Sequence, residues 1–401
     1  MRQKRNNNTD KNTRTLLLAA VAVALTAIFP SCRHDDIVFR PESTQVTDPA
    51  VVEPDADGYM LKGFYVLNEG NMGMNKSTLD YFDVATGEYN RNIYGAANPD
   101  VPMELGDVGN DLEIYGSRLW AVINCSNKVE VMHVENARRI GQVEIPNCRS
   151  IAFHNGYAYV TSYAGPVQID PDYKQLGYVA KVDTATLQVV DRCIVGYQPD
   201  GIAITGGKIY VANSGGYRVP NYENTVSVID IATFREEKKI EIAINLNHVI
   251  ADKNGRLWIS SRGDYYTDPS QLFCYDPFLG RLVKTFDIPV GSMALVDGKL
   301  YILGNTFSYV DMTKQFTTAI VDVETMEVIS DSIATDGTFQ KMKNPYGIGV
   351  NPVTKEVYIS DATNMVSPGW LYCFSPEGTM KWRVRTGDIP AHFAFYGVIK
   401  K

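Results

Sequence analysis

The sequence predicts an all-β fold, a seven-bladed β-propeller with circular closure between its N- and C-terminal strands. Three observations predict it. First, a run of one aromatic and alternating small residues recurs seven times, as FYVLNE (64–69), LWAVIN (119–124), AYVTSY (158–163), IYVANS (209–214), LWISSR (257–262), LYILGN (300–305) and VYISDA (357–362). The copies lie roughly 40 to 57 residues apart, the period of a propeller blade. Second, short apolar runs that would precede these strands also number seven, at 112–115, 151–154, 202–205, 249–252, 293–296, 348–351 and 393–396. Third, the two series are offset by one. The last apolar run has no partner after it and 64–69 has none before it, so residues 393–396 are expected to complete the blade begun at 64. Such closure removes the open sheet edges between the chain ends. Six or eight blades are the alternatives if one motif is miscounted.

The segment 199–242 shows why each element forms. Residues 201–205 are small and apolar; a Gly206-Gly207 turn leads into K-I-Y-V-A-N; T-V-S-V-I-D (225–230) follows a long insertion; and 236–242 alternates charge with Ile. Val, Ile and Tyr between Gly, Asn and Asp turn signals are the hairpin pattern. Third strands end on an aspartate in DYFD (80–83), AKVD (180–183), SVID (227–230), FCYD (273–276) and AIVD (319–322). An Asp there can accept backbone N–H groups and fix the turn, so these carboxylates are read as structural.

The N-terminus reads as a targeting segment. Arg2, Lys4, Arg5, Lys11 and Arg14 precede an apolar stretch at 16–29 that is too short to span a bilayer. It ends in Phe29-Pro30-Ser31-Cys32, which resembles a bacterial lipobox, with Asp35 and Asp36 resembling a surface-export signal. The expected organisation is a lipoprotein signal peptide over 1–31, a flexible tether over 32–58 behind lipidated Cys32, and one propeller over 59–401. Residues 1–31 carry five basic side chains and one acidic one, so the remainder has a net charge of −12 against −8 for the whole chain. Nothing basic and extended is left, which argues against nucleic acid. Of the other cysteines, Cys125 ends a second strand and Cys148 begins the next blade at the same face, making them the disulfide candidate. Cys193, Cys274 and Cys373 read as buried thiols.

In a four-stranded antiparallel blade, loops entering first strands and leaving second strands share one face. Here those loops are long, while the opposite turns are short, as at Asn155-Gly156 and Asn254-Gly255. Long loops on a rigid scaffold collect binding residues. The candidates for ligand binding are Asn71, Tyr163, Tyr217, Arg218, Tyr222, Arg262, Tyr265, Tyr266, Phe307, Tyr346 and Trp370, with His248 and His392 at the channel centre. Rings supply contact area, Asn pairs in both directions, and Arg stacks or forks. The set suits a large, flat, mostly neutral ligand with amides and hydroxyls. No nucleophile-with-base constellation and no zinc spacing occurs, so no catalytic or metal residue is assigned. Asp264 and Asp268 are a two-carboxylate candidate for Ca²⁺.

The V-A-N … V-S-V-I-D … T element resembles the YVTN and YncE-like seven-bladed propeller repeats over nearly the whole chain after the tether. F-Y-V-L-N-E-G-N-M-G (64–73), with the Cys32 anchor, is similar to the propeller lipoproteins of gut Bacteroidetes. One group of these, the BtuG type, binds cobalamin at the cell surface over a TonB-dependent transporter. That resemblance implies a non-enzymatic, outer-membrane, lipid-anchored binder of cobalamin (vitamin B12) or a related corrinoid, passing it to such a transporter, with the corrinoid as ligand rather than cofactor. A glycan-binding or protein-interaction propeller, and a metal-dependent lyase or lactonase using His248 and His392, remain the alternatives.

Overall fold

The computed structural model of the protein describes residues 41–48, 53–55, 58–101, 105–310 and 312–399. Its strands form seven antiparallel sheets. Blade 1 runs, from the inside outwards, Pro390–Ile399, Tyr59–Asn68, Thr78–Asp83, Glu88–Arg91 and Glu42–Gln45. The next three begin with innermost strands Gly109–Tyr115, Cys148–His154 and Pro199–Thr205. Blades 5 to 7 begin with Leu246–Ala251, Ser292–Val296 and Pro345–Val350. In blades 2 to 7 four consecutive strands are paired in order. Each innermost strand packs against the next, and Pro390–Ile399 closes the ring between blades 7 and 2. The closure expected from the offset series is therefore present, with Phe64 opposite Phe395 and Val66 opposite Phe393.

Alternation along the strands explains the ring. Phe64 and Val66 enter a core shared with Tyr358 and Leu371 of blade 7. Their neighbours Tyr65 and Leu67 enter a core shared with Leu112 and Leu119 of blade 2. Seven such cores occur, one at each blade–blade interface. A second strand is thus buried on both faces, so it reads as nearly continuous apolar sequence. Each fully buried Leu, Val or Phe contributes about 1.5–3 kcal/mol.

The aspartates that end third strands fix turns as expected. Asp183 accepts from the backbone N–H groups of Ala185 and Thr186 at 2.9 and 2.8 Å, and Asp276 from those of Phe278 and Leu279 at 2.8 and 3.0 Å. Asp83, Asp230 and Asp322 do the same.

One expectation is corrected. Glu42–Gln45 lies within the stretch read as tether, yet it pairs with Glu88–Arg91 as a fifth strand of blade 1. Its physical cause is an edge that needs covering: Val46 is buried beside Phe82 and Tyr89, and Arg91 pairs with Glu42 at 2.5 Å. The signal peptide and Cys32 lie outside the described residues.

Candidate functional site

The innermost strands converge on one mouth, and their sequences line up there. Two residues before Leu112, Ile151, Ile202, Val249, Met293, Ile348 and Phe393, which occupy equivalent places in the seven innermost strands, stand Asn110, Arg149, Asp200, Asn247, Gly291, Tyr346 and Ala391. One residue before stand Asp111, Ser150, Gly201, His248, Ser292, Gly347 and His392. All but Gly347 line a single cavity of about 1040 Å³. In six blades a register shift falls beside these positions, in the innermost strand or in its partner. Such bulges re-aim side chains next to binding sites. At two ring positions the neighbouring backbone leaves no room for a side chain. A Cβ on Gly201 would lie 2.4 Å from the Asn247 carbonyl oxygen, and one on Gly347 2.2 Å from that of Ala391.

Asp200 organises one side of the mouth. Its Oδ1 accepts from Arg149 Nε and from the Tyr163 hydroxyl, both at 2.9 Å, and its Oδ2 accepts from Arg262 Nη1 at 2.8 Å. Burial alone would raise this carboxyl, but Arg262 and Arg149 outweigh it and hold it at about 2. The Tyr163 ring supports Arg149, 4.8 Å from its guanidinium, and Tyr217 stands edge-on to that ring at 6.2 Å.

Across the mouth, the Tyr346 hydroxyl donates to Glu69 Oε2 at 2.9 Å, and His392 Nε2 lies 3.3 Å from Glu69 Oε1. His248 Nε2 lies 3.1 Å from the Gly291 carbonyl and so is the donor. Burial pushes its pKa down to about 4, leaving a neutral ring at physiological pH. Asp111 accepts from the Leu112 and Ile151 N–H groups at 2.8 and 2.9 Å, and is nevertheless raised by burial. Glu113, further along the same strand, opens to the channel; the enclosing protein and the Asp111 carboxylate push it up to about 8.

A long hairpin of blade 6, Lys299–Ser308 with Thr313–Asp322, adds an aromatic wall. Tyr266 stacks on Tyr309 at 5.2 Å, and Phe307 meets Tyr309 edge-on at 4.7 Å. Tyr265 joins them with a left-handed backbone at φ 65°, its carbonyl accepting from Tyr309 N–H at 3.0 Å.

The structure thus brings Asn71, Tyr217, His248, Arg262, Tyr265, Tyr266, Phe307, Tyr346 and His392 to one cavity. The other four sequence candidates do not line it. Tyr163 is buried beneath Arg149. Arg218 lies 3.8 Å over the Tyr197 ring and donates to the Tyr173 carbonyl at 3.1 Å, holding its own loop. Tyr222 is half-buried, its hydroxyl pushed up to about 12 by burial and by Tyr265. Trp370 lies on a third strand, with Arg383 and Arg385 at 4.7 and 4.6 Å from its ring.

One further reading is corrected. Cys125 and Cys148 are free thiols: Cys148 points into the core between blades 2 and 3, its Sγ 3.3 Å from the Lys128 carbonyl. Asp264 accepts from the N–H groups of its own loop, those of Tyr266, Thr267 and Asp268, at 2.8, 2.8 and 2.9 Å. Among the described residues no group of three or more His, Cys, Asp or Glu could hold a metal ion. The mouth is also richer in carboxylates than the loop composition indicates, through Glu69, Asp111, Glu113 and Asp200.

Comparison with solved structures supports the fold. A hypothetical selenium-binding protein from Sulfolobus tokodaii matches with TM-score 0.57 at 10% identity, covering 84% of this chain and 93% of its own. Hydrazine synthase of Kuenenia stuttgartiensis matches with TM-score 0.55 at 15% identity, covering 73% and 95%. A quinonprotein alcohol dehydrogenase-like protein from Bacteroides thetaiotaomicron gives TM-score 0.55 at 12% identity, covering 83% and 78%. No curated protein matches. A family model described as "Domain of unknown function (DUF5074)" matches residues 62–395, and the chain belongs to that family.

Proposed function

We propose that this DUF5074 propeller is a ligand-binding protein that takes a large, nearly neutral, amide-rimmed molecule at its channel mouth. The chemical class that fits is a corrinoid such as cobalamin. The observation that carries the proposal is the cavity of about 1040 Å³, walled on one side by Tyr265, Tyr266 and Phe307 and ringed by Asn71, Asn110, Asn124, Asn247 and Asn305. It stands at the upper end of the size range of small-molecule sites. Aromatic walls supply apolar contact area, while amides serve as both donors and acceptors to a rim of like groups. The lipobox-like Phe29-Pro30-Ser31-Cys32 is consistent with a lipid-anchored surface protein that passes its ligand to a TonB-dependent transporter.

Isothermal titration of the purified protein with cyanocobalamin tests this. Binding at micromolar concentration or tighter supports it. No binding there, with retention of an oligosaccharide from a glycan array, replaces the corrinoid with a glycan. An enzymatic reading has one observation in its favour: Glu113 and His248, both displaced from their ordinary pKa values, share the cavity. Displaced groups cluster at catalytic sites as well as at binding sites. Turnover of a lactone or uronate substrate, lost in Glu113→Gln, would establish it.

A further inference from the structure

Two guanidiniums at the mouth share one carboxylate. Arg149 and Arg262 come from different blades and meet at Asp200, whose side chain is 4% exposed. Asp200 is fully committed: besides the two guanidiniums it receives the Tyr163 hydroxyl. It is therefore a fixed counter-ion, and it balances only one of the two positive charges beside it.

The donors left over face the ligand space. A guanidinium carries five N–H bonds. Arg149 uses one, on Nε, and Arg262 uses one, on Nη1. The other four of each have no protein partner among the described residues, and none of their nitrogens is a buried unpaired atom. Both side chains line the cavity, with 13% and 28% of their surface exposed. The nearby carboxylates have donors of their own: Glu69 has the Tyr346 hydroxyl, and Asp111 has two backbone N–H groups. Tyr163 beneath Arg149 and the bracing carboxylate hold the forks in place before any ligand arrives.

We infer that Arg149 and Arg262 form an oxyanion subsite that takes a phosphate or carboxylate group carried by the cavity's ligand. Planar forks match such oxygens in pairs, and charge-assisted bonds of this kind are about twice as strong as neutral ones. The inference rests on the binding reading above only in that the cavity holds a ligand; it does not require a corrinoid.

The test is isothermal titration of the purified protein with sodium phosphate and, separately, sodium acetate, at constant low ionic strength. Saturable binding of at least one anion is expected, weakened about tenfold or more in Arg262→Gln. Arg262→Lys, which keeps the charge without the fork, should fall between. Lys253→Gln removes a surface charge paired with Glu324 at 2.9 Å outside the cavity, and should leave binding unchanged. Phosphate alone identifies a phosphorylated ligand and acetate alone a carboxylate. The inference is overturned if the native protein binds neither anion at millimolar concentration, a result that does not depend on any variant folding. It is also overturned if both Arg262 variants bind as the native protein does. Failure of cyanocobalamin to bind would leave the anion result standing, and failure of the anions would leave cyanocobalamin binding untouched.

Discussion

Replacing Asp200 by Asn tests whether the mouth is held by charge. The carboxylate receives two guanidiniums and a hydroxyl within 2.9 Å, and its proton affinity falls from 3.8 to about 2. At about 1.36 kcal/mol per pKa unit, that difference is worth about 2.5 kcal/mol. Breaking a buried ion pair by removing one partner costs about 3–5 kcal/mol, so the two figures bracket the loss. With an unfolding entropy of about 2.1 cal/mol/K per residue over roughly 340 residues, a loss of 3–5 kcal/mol lowers Tm by about 4–7 °C. The pH dependence is the sharper signature. A group whose pKa is depressed on folding stabilises fully above its unfolded pKa and stops doing so as pH falls through the folded value. The part of the gap between native protein and Asp200→Asn that depends on ionisation, about 2.5 kcal/mol, should therefore be complete at pH 7, about halved at pH 3 and nearly gone at pH 2. Thermal melts followed by circular dichroism across that range give the gap directly. A gap under about 1 kcal/mol at pH 7, or one unchanged down to pH 3, would refute the reasoning.

Four other perturbations have defined outcomes. Deleting residues 390–401 removes the innermost strand of blade 1 and bares Tyr59–Asn68, where Phe64, Tyr65, Val66 and Leu67 are fully buried; size-exclusion chromatography should show oligomers or aggregates in place of the native species. His248 folds with a pKa of about 4 against 6.5, so native stability falls as pH drops from 6.5 towards 4, by at most about 3 kcal/mol, and His248→Gln should flatten that limb of the melting curve. Glu113 has the opposite sign: raised to about 8, its contribution is present below pH 4.5 and lost as pH rises through 8, so Glu113→Gln should melt higher than the native protein at pH 8. Among Cys125, Cys148, Cys193, Cys274 and Cys373, only Cys125 is not buried, so a thiol reagent should modify it first in the folded state, and reduction should leave the mass unchanged.

The architecture was legible because a propeller repeats one local solution. Phe64 and Tyr65 face different neighbours, so a second strand must be apolar on both sides, and that demand recurs in every blade. Turn aspartates such as Asp183 and Asp276 recur for an equally local reason. Closure was legible from an unpaired strand at each end. Glu42–Gln45 was not, because a short polar edge strand carries neither alternation nor apolar content, and only the burial of Val46 marks it.

The site was legible by face and only partly by residue. Aromatic and amide loops gather around the cavity at the mouth, yet Arg218, Tyr222 and Trp370 lie off it, because a ring in a long loop serves that loop as readily as a ligand. Arg149 and Asp200 each look ordinary where they stand, in CRSI and PDGI. They become visible only when the seven innermost strands are superposed on Leu112, Ile151, Ile202, Val249, Met293, Ile348 and Phe393. The position two residues earlier then reads Asn, Arg, Asp, Asn, Gly, Tyr, Ala around the channel, polar in five blades and variable where the surrounding strands are monotonous. Departures from a repeat cost nothing in the shared cores, since these side chains point into the channel rather than between blades. Variation confined to one position of a repeated strand therefore marks the surface that the scaffold leaves free for binding. In this chain it is where two arginines and one aspartate meet.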